Sequence, residues 1–170
     1  GLQNQSVLYV QDNPESEPKM LLDPNTFSDD GTTSLQELDF SKDGRHLAYS
    51  ISKGGSDWRT IFVKDLQSGQ MLPDQIEWAK FTNIAWKGDG FYYTRFPETT
   101  EGAKLTATNK FGAVYFHKLG TQQKDDLLVY NDKANPDRSF AAATTDDERF
   151  LCVSGWESAS DNMLFVKDLS

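Results

Sequence analysis

The 170-residue sequence contains a single cysteine, Cys152. One thiol cannot close an intrachain disulfide, and no cysteine-based metal site can form around it. Flanked by Leu151 and Val153, it reads as a small buried hydrophobe. Basic residues are also scarce: 17 Lys and Arg stand against 26 Asp and Glu, a formal net charge of −9. An acidic surface repels phosphate backbones, and no basic stripe offsets it, so nucleic acid is excluded as a partner. The acidic residues scatter through turns, where they read as solvated surface. No apolar run approaches the roughly 18 residues that a membrane span requires. The opening Gly1-Leu2-Gln3-Asn4-Gln5 has neither the basic nor the apolar region of a signal peptide. No membrane partner is therefore expected.

Several chemical signatures are missing as well. Gly-x-Ser-x-Gly, which permits the strained turn of a nucleophile elbow, does not occur. Gly54-Gly55-Ser56 comes nearest, but Asp57 and Trp58 follow, and the setting is a hairpin tip. There is no Gly-x-Gly-x-x-Gly and no phosphate-binding loop, and no cofactor is expected. The two histidines, His46 and His117, lie in strand-like segments without a ligand partner at metal-binding spacing. Asp29-Asp30-Gly31, Asp43-Gly44 and Asp146-Asp147 lack the oxygen-ligand series of a calcium loop, and turn chemistry explains them. Asn4-Gln5-Ser6 fits the glycosylation pattern, a short one that is frequent by chance. Apolar residues at i, i+3, i+4 and i+7 do not persist over ten residues anywhere, so no helix is predicted.

What is present is a recurring strand. Phe62-Val63-Lys64-Asp65-Leu66 returns letter for letter as Phe165-Val166-Lys167-Asp168-Leu169. Leu8-Tyr9-Val10-Gln11-Asp12 and Val114-Tyr115-Phe116-His117-Lys118 are looser copies. Aligned on Tyr9, Phe62, Tyr115 and Phe165, they are spaced 62−9 = 53, 115−62 = 53 and 165−115 = 50 residues apart. A repeat of that length in a strand-rich chain points to propeller blades or another β-array. Around each copy the alternation of apolar and polar residues predicts further strands. These run over Ser6–Asp12, Lys19–Leu22, Leu35–Phe40, His46–Ser52, Trp58–Leu66, a short Met71–Pro73, Phe81–Trp86, Phe91–Arg95, Gly112–Leu119, Asp126–Tyr130, a start near Phe140, Arg149–Gly155 and Met163–Leu169. A polar loop covers Pro97 to Lys110. Asp43-Gly44, Asp89-Gly90 and Asp147-Glu148 sit at the same place in successive units. Asp-Gly supplies the φ > 0 positions of a tight hairpin.

The expected fold is all-β, a partial β-propeller of four-stranded antiparallel blades, about three to four in number. The units are a partial blade over 1–27, blades over 34–78 and 79–131, and a partial blade over 138–170. The chain thus starts and stops within units. A β-sandwich is the structural alternative. Trp58, Trp86, Phe91, Tyr92, Tyr93, Phe116 and Phe165 read as packing between blades. Phe81 and Trp156 lie near strand ends, where a propeller exposes its faces and could offer a ligand contact.

The ordered motifs resemble those of the prolyl oligopeptidase (prolyl endopeptidase) family. They are Gly1-Leu2-Gln3-Asn4-Gln5 through Asp12, Leu22-Asp23-Pro24-Asn25, Ser28-Asp29-Asp30-Gly31-Thr32, Phe40-Ser41-Lys42-Asp43-Gly44, Gly55-Ser56-Asp57-Trp58, Lys80-Phe81 with Ala85-Trp86, and Leu119-Gly120-Thr121. The likeness runs in order over essentially the whole chain. It implies a serine peptidase cleaving short peptides after proline, in which a seven-bladed propeller caps an α/β-hydrolase domain and limits access. It also implies that the Ser, Asp and His triad lies in that hydrolase domain, which is absent here, so the segment gates and contacts substrate and is catalytically inert alone. Its partners would be short proline-containing peptides, the missing hydrolase domain and, through open blade edges, other copies of itself. The family's Lys-Phe…Ala-Trp segment directs its phenylalanine at the substrate pocket. Phe81 matches that residue with Trp86 in register, while Thr82-Asn83-Ile84 departs from the vertebrate pattern. Phe140 lies near another pocket position of the family. The resemblance implies a cytoplasmic protein, or a periplasmic one where a bacterial parent carries a signal peptide. A different class of function remains: a free-standing propeller-like module that binds a protein partner.

Overall fold

The computed structural model describes residues 4–98, 109–158 and 160–170. Most of the polar loop expected over Pro97–Lys110 lies outside the described residues, as do residues 1–3 of the opening motif. Among the described residues the chain forms thirteen strands and two single 3-10 turns, Pro24–Thr26 and Gln123–Asp125. The strands are β1 (Leu8–Val10), β2 (Lys19–Leu22), β3 (Thr33–Phe40), β4 (His46–Lys53), β5 (Arg59–Asp65), β6 (Met71–Ala79) and β7 (Ala85–Lys87). They continue as β8 (Gly90–Arg95), β9 (Ala113–Lys118), β10 (Leu127–Asn131), β11 (Ser139–Thr144), β12 (Phe150–Trp156) and β13 (Met163–Asp168).

Pairing is antiparallel and sequential, as short hairpin loops dictate. β3, β4, β5 and β6 form one meander; β7, β8, β9 and β10 form the next; β11, β12 and β13 form a third; β1 pairs with β2. The copies of the recurring motif fall on β1, β5, β9 and β13, the last three each being the third strand of its meander. The hairpins repeat down to single bonds. In Ser41–Arg45 and in Thr145–Arg149 the hydroxyl donates to an Asp (2.7 and 2.6 Å), and that Asp accepts from the Arg backbone N–H (3.0 and 3.0 Å).

Both faces of the central strands are buried. Ala48, Ile61, Val63 and Ile76 meet Trp86, Phe91 and Tyr93 in one core. Ala85, Tyr92 and Val114 meet Phe140, Ala142, Leu151 and Val153 in a second. Leu47, Tyr49 and Ile51 meet Leu22, Leu8 and Leu21 in a third. Alternate residues of β4 and of β8 thus serve different cores, which is the pattern of sheets stacked face on face, each strand contributing to two layers. No helix among the described residues is long and apolar enough to cross a membrane.

Two strands depart from the sequence expectation. The outer strand expected over Met71–Pro73 extends to Ala79, and the inner strand expected over Phe81–Trp86 is confined to Ala85–Lys87. The cause is local. Trp78 (φ 60°) takes the left-handed conformation at a bulge near the end of β6, where the register against β5 shifts, and Phe81 (φ 50°) takes it in the turn that delays β7. The end of β6 then reaches across to pair Ala79 with Arg95, and that bridge joins the two four-stranded meanders into one eight-stranded sheet.

Candidate functional site

The left-handed pair Trp78 and Phe81 marks the place where backbone strain is concentrated. A non-glycine residue held there costs on the order of 1–3 kcal/mol and persists only when its surroundings fix it. The surroundings are aromatic. The Trp58 ring meets Trp78 edge-on at 5.5 Å between centroids, and meets Phe96 edge-on at 6.4 Å. Phe81 also stands edge-on to Phe96, at 6.4 Å. Lys80 lies between them, with Nζ 5.1 Å from the Trp58 centroid and 5.1 Å from that of Phe81. Only 7% of Lys80 is exposed, and its ammonium is answered by Asp57 Oδ2 at 3.4 Å. The ring quadrupoles supply what water no longer does for this cation.

The ring of Phe81 is not used up by this packing: 39% of the residue is exposed. Beneath it, Arg59 donates from a guanidinium nitrogen to the Thr82 carbonyl (3.3 Å) and pairs with Glu37 (3.7 Å). The Thr82 hydroxyl accepts from the Thr94 N–H at 2.7 Å. Beside the aromatic group, Trp58, Arg59, Thr60, Glu77 and Trp78 line a cavity of about 320 Å³. The arrangement offers an exposed aromatic face on a rigid support, suited to an apolar side chain.

The second candidate sits differently. Phe140 on β11 is 1% exposed, edge-on to Tyr130 at 5.1 Å, and its carbonyl accepts from the Thr94 hydroxyl at 2.8 Å. A Cβ built on Gly155 would stand 3.0 Å from its ring, so the glycine is what lets the ring lie flat on β12. The structure therefore does not bring Phe140 and Phe81 together on one surface, although both sit above Thr94 and Thr82 of the same bonded chain. Trp156 ends β12, half-buried. Ser56 closes a hairpin: its carbonyl accepts from the Ser52 hydroxyl and its own hydroxyl accepts from the Trp58 N–H. Cys152 is half-buried rather than buried, because β12 turns it away from the Leu151 and Val153 face. Among the described residues no group of three His, Cys, Asp or Glu is placed to hold a metal ion.

One cluster escaped the sequence reading. His117 on β9 is fully buried, with Nδ1 2.7 Å from Asp126 Oδ1 and Nε2 2.9 Å from Asp74 Oδ1. The Tyr93 hydroxyl donates to Asp126 Oδ2 at 2.7 Å. Burial by itself pushes His117 down, but the hydrogen bonds and charges of Asp126 and Asp74 outweigh it and hold the imidazole above its ordinary value. The Tyr93 phenol is pushed up by burial and by the Asp126 carboxylate. Asp74 and His117 lie 43 residues apart, and no spacing rule connects them.

The whole chain, residues 1–170, matches the model of the prolyl oligopeptidase N-terminal β-propeller domain. The chain belongs to this family. It is 44% identical to the prolyl endopeptidase of Elizabethkingia meningoseptica over 170 residues, covering 99% of this chain and 24% of that protein. Prolyl oligopeptidase A of Amanita bisporigera is 35% identical over 196 residues, covering 99% of this chain and 26% of that protein. Among solved structures, prolyl oligopeptidase B of Galerina marginata, bound to a 35mer hydrolysis and macrocyclization substrate, superposes with a TM-score of 0.88 at 30% identity. That match covers 100% of this chain and 26% of the other. One of two prolyl endopeptidases studied for the role of inter-domain dynamics superposes equally, at 0.88 and 36% identity, over 99% of this chain and 24% of its own. The chain thus spans about a quarter of the length of these relatives.

Proposed function

We propose that this propeller segment gates and contacts substrate in a serine peptidase that cleaves short peptides after proline, and that Phe81 is the residue it presents to the peptide. The chemistry would be supplied by a hydrolase domain outside these 170 residues, so the segment binds and orients but does not cleave. Phe81 itself carries the reading. It pairs a strained backbone with an exposed aromatic ring on an otherwise packed cluster. Strain of that kind is kept where a side chain has to be aimed. Its partner would be an apolar residue upstream of the proline, which an aromatic face takes up by burying area rather than by hydrogen bonding. In this reading Phe140 supports the site from below, through the Thr94 bond to its carbonyl.

The test is a titration of the 170-residue chain with a short proline-containing peptide, with and without Phe81→Ala, followed by NMR. Loss of one aromatic anchor should weaken binding about fivefold or more, corresponding to about 1 kcal/mol. Equal affinity of the two proteins would remove Phe81 from the site. Cleavage of the peptide by the isolated chain would overturn the assignment of the chemistry to another domain.

A further inference from the structure

One edge of β6 is laddered to β5, with Arg59 opposite Ala79 at its strained end, while the other edge has only sparse backbone contacts. β6 meets β8 only at Ala79 and Arg95 among the described pairs. Two other attachments are made by side chains. The Gln123 amide clasps the Glu77 backbone, accepting its N–H at 3.0 Å and donating to its carbonyl at 2.9 Å. Asp74, three residues earlier, reaches His117.

We propose that His117 is a positioning residue for Phe81: as an imidazolium it ties Asp74 of β6 to Asp126 ahead of β10, and so anchors the strand whose end aims the Phe81 ring.

The geometry requires the cation. A neutral imidazole carries one N–H, so one of its nitrogens would point a lone pair at a carboxylate oxygen within hydrogen-bond distance. Both nitrogens face carboxylates here, at 2.7 and 2.9 Å, and neither carboxylate side chain is more than 1% exposed. The surrounding elements contribute little other charge. From β8 come the Phe91 ring, 5.4 Å from the imidazole, the Tyr93 hydroxyl, and Arg95, which lies over the Tyr115 ring. From β6 come Asp74 and Glu77, the latter bonded outward to Thr60 and Gln75. From the turn after β9 come the Gly120 N–H, which donates to Asp74 Oδ1 at 2.6 Å, and Asp126.

Each carboxylate keeps one other donor, the Tyr93 hydroxyl on Asp126 Oδ2 and the Gly120 N–H on Asp74 Oδ1. When the imidazole loses its proton, one of its nitrogens turns a lone pair to a carboxylate, and loss of either arm unties β6 from Asp126. A raised histidine has its stabilising effect in full below the unfolded value of about 6.5 and loses it as pH rises through the higher folded value. The clamp is thus closed below about pH 6.5 and opens as the pH rises through the higher folded value. The consequence for peptide binding rests on the reading of Phe81 above, whereas the coupling of His117 to Phe81 does not.

The experiment is an NMR titration of the 170-residue chain with ¹⁵N-labelled histidine and ¹³C-labelled phenylalanine. His117 is expected to be doubly protonated below pH 6.5, with a midpoint above that ordinary value. The Phe81 ring signals should shift with that same midpoint. Asp74→Asn should move the Phe81 signals at every pH and lower the His117 midpoint, while His117→Gln should abolish the transition. A His117 midpoint below 6.5 overturns the proposal, and so does a Phe81 signal that ignores the His117 titration. Both are read on the unmodified chain, so a variant that fails to fold does not block the test. Peptide affinity is measured in parallel and should fall about fivefold or more as the clamp opens, the lower end of ordinary coupling between sites. If Phe81 follows His117 but peptide affinity does not, the positioning stands and the peptide contact at Phe81 falls.

Discussion

Glu148 is the residue that shows how a repeat can be kept by geometry when its letters change. It occupies the place of Gly44 in the preceding hairpin, with φ 55° against 69°. Glycine takes that conformation freely, whereas a residue with a Cβ is strained by roughly 1–2 kcal/mol. Glu148 offsets the strain with one contact that glycine could not make, its carboxylate accepting from the Gly88 N–H at 2.9 Å. Its backbone carbonyl also accepts from the Lys87 ammonium at 2.8 Å, a bond that glycine would keep. Glu148→Gly should therefore be close to neutral, relief of strain balancing a lost hydrogen bond. Gly44→Ala should destabilise by about 1 kcal/mol through strain alone, because open space surrounds the added methyl. Urea denaturation of the two variants separates these outcomes, and a clear stabilisation by Glu148→Gly would show that the Glu148 side-chain bond carries nothing. Phe81 could be singled out at this scale because its neighbours in sequence match a family pattern. Lys80 was not, since a lysine in a polar stretch gives no sign that it will be enclosed by Trp58 and Phe81.

At the scale of the element, the strands were legible where alternation and turn residues agree. Lys19–Leu22 and the start of β4 at His46 fall where the sequence places them. Disagreement is greatest at β6 and β7, and β1 is shorter than the expected Ser6–Asp12. The bulge at Trp78 and the turn at Phe81 are imposed by packing and not by any preference of tryptophan or phenylalanine. Gly90, which opens β8, is the reverse case, for its role is steric. A Cβ there would stand 2.3 Å from the His117 carbonyl oxygen and 2.6 Å from the Phe116 ring. The strand pair β8–β9 closes only over a bare Cα. Gly90→Ala should lower stability by about 2 kcal/mol or more, as over-packing of a tight contact does. It should also disturb the His117 signals, which an unrelated surface change would leave in place. An alanine variant with unaltered urea midpoint and unaltered imidazole signals would show that β9 moves aside freely.

On the scale of the whole molecule, stability comes from stacking. The two four-stranded meanders each bury two faces, and the three cores lie between successive layers. Where a layer has no neighbour, apolar surface is left open. β13 exposes Leu164, Phe165 and Val166, and β10 exposes Leu127 and Leu128. Open strand edges with apolar side chains recruit further strands. The 170-residue chain is expected to self-associate reversibly, with a sedimentation coefficient that rises with concentration. Val166→Lys should reduce that rise, since a charge on an edge strand is costly to bury. Concentration-independent sedimentation of the unmodified chain would show that its edges are satisfied.

The sequence by itself determined where the strands lie, which way the hairpins turn and that the pattern recurs, because these depend on residues close together along the chain. Tertiary structure alone decided what each strand is for. Phe62-Val63-Lys64-Asp65-Leu66 and Phe165-Val166-Lys167-Asp168-Leu169 are the same five letters, yet Val63 is 0% exposed and Val166 is 59% exposed. β5 is covered on both sides by β4 and β6, whereas β13 has β12 on one side only. The same holds for the buried cluster. Asp74, His117 and Asp126 are unremarkable in sequence and acquire their chemistry when stacking removes water from all three. Burial and partnership are properties of the surrounding layers, and the composition of a five-residue strand carries no record of them.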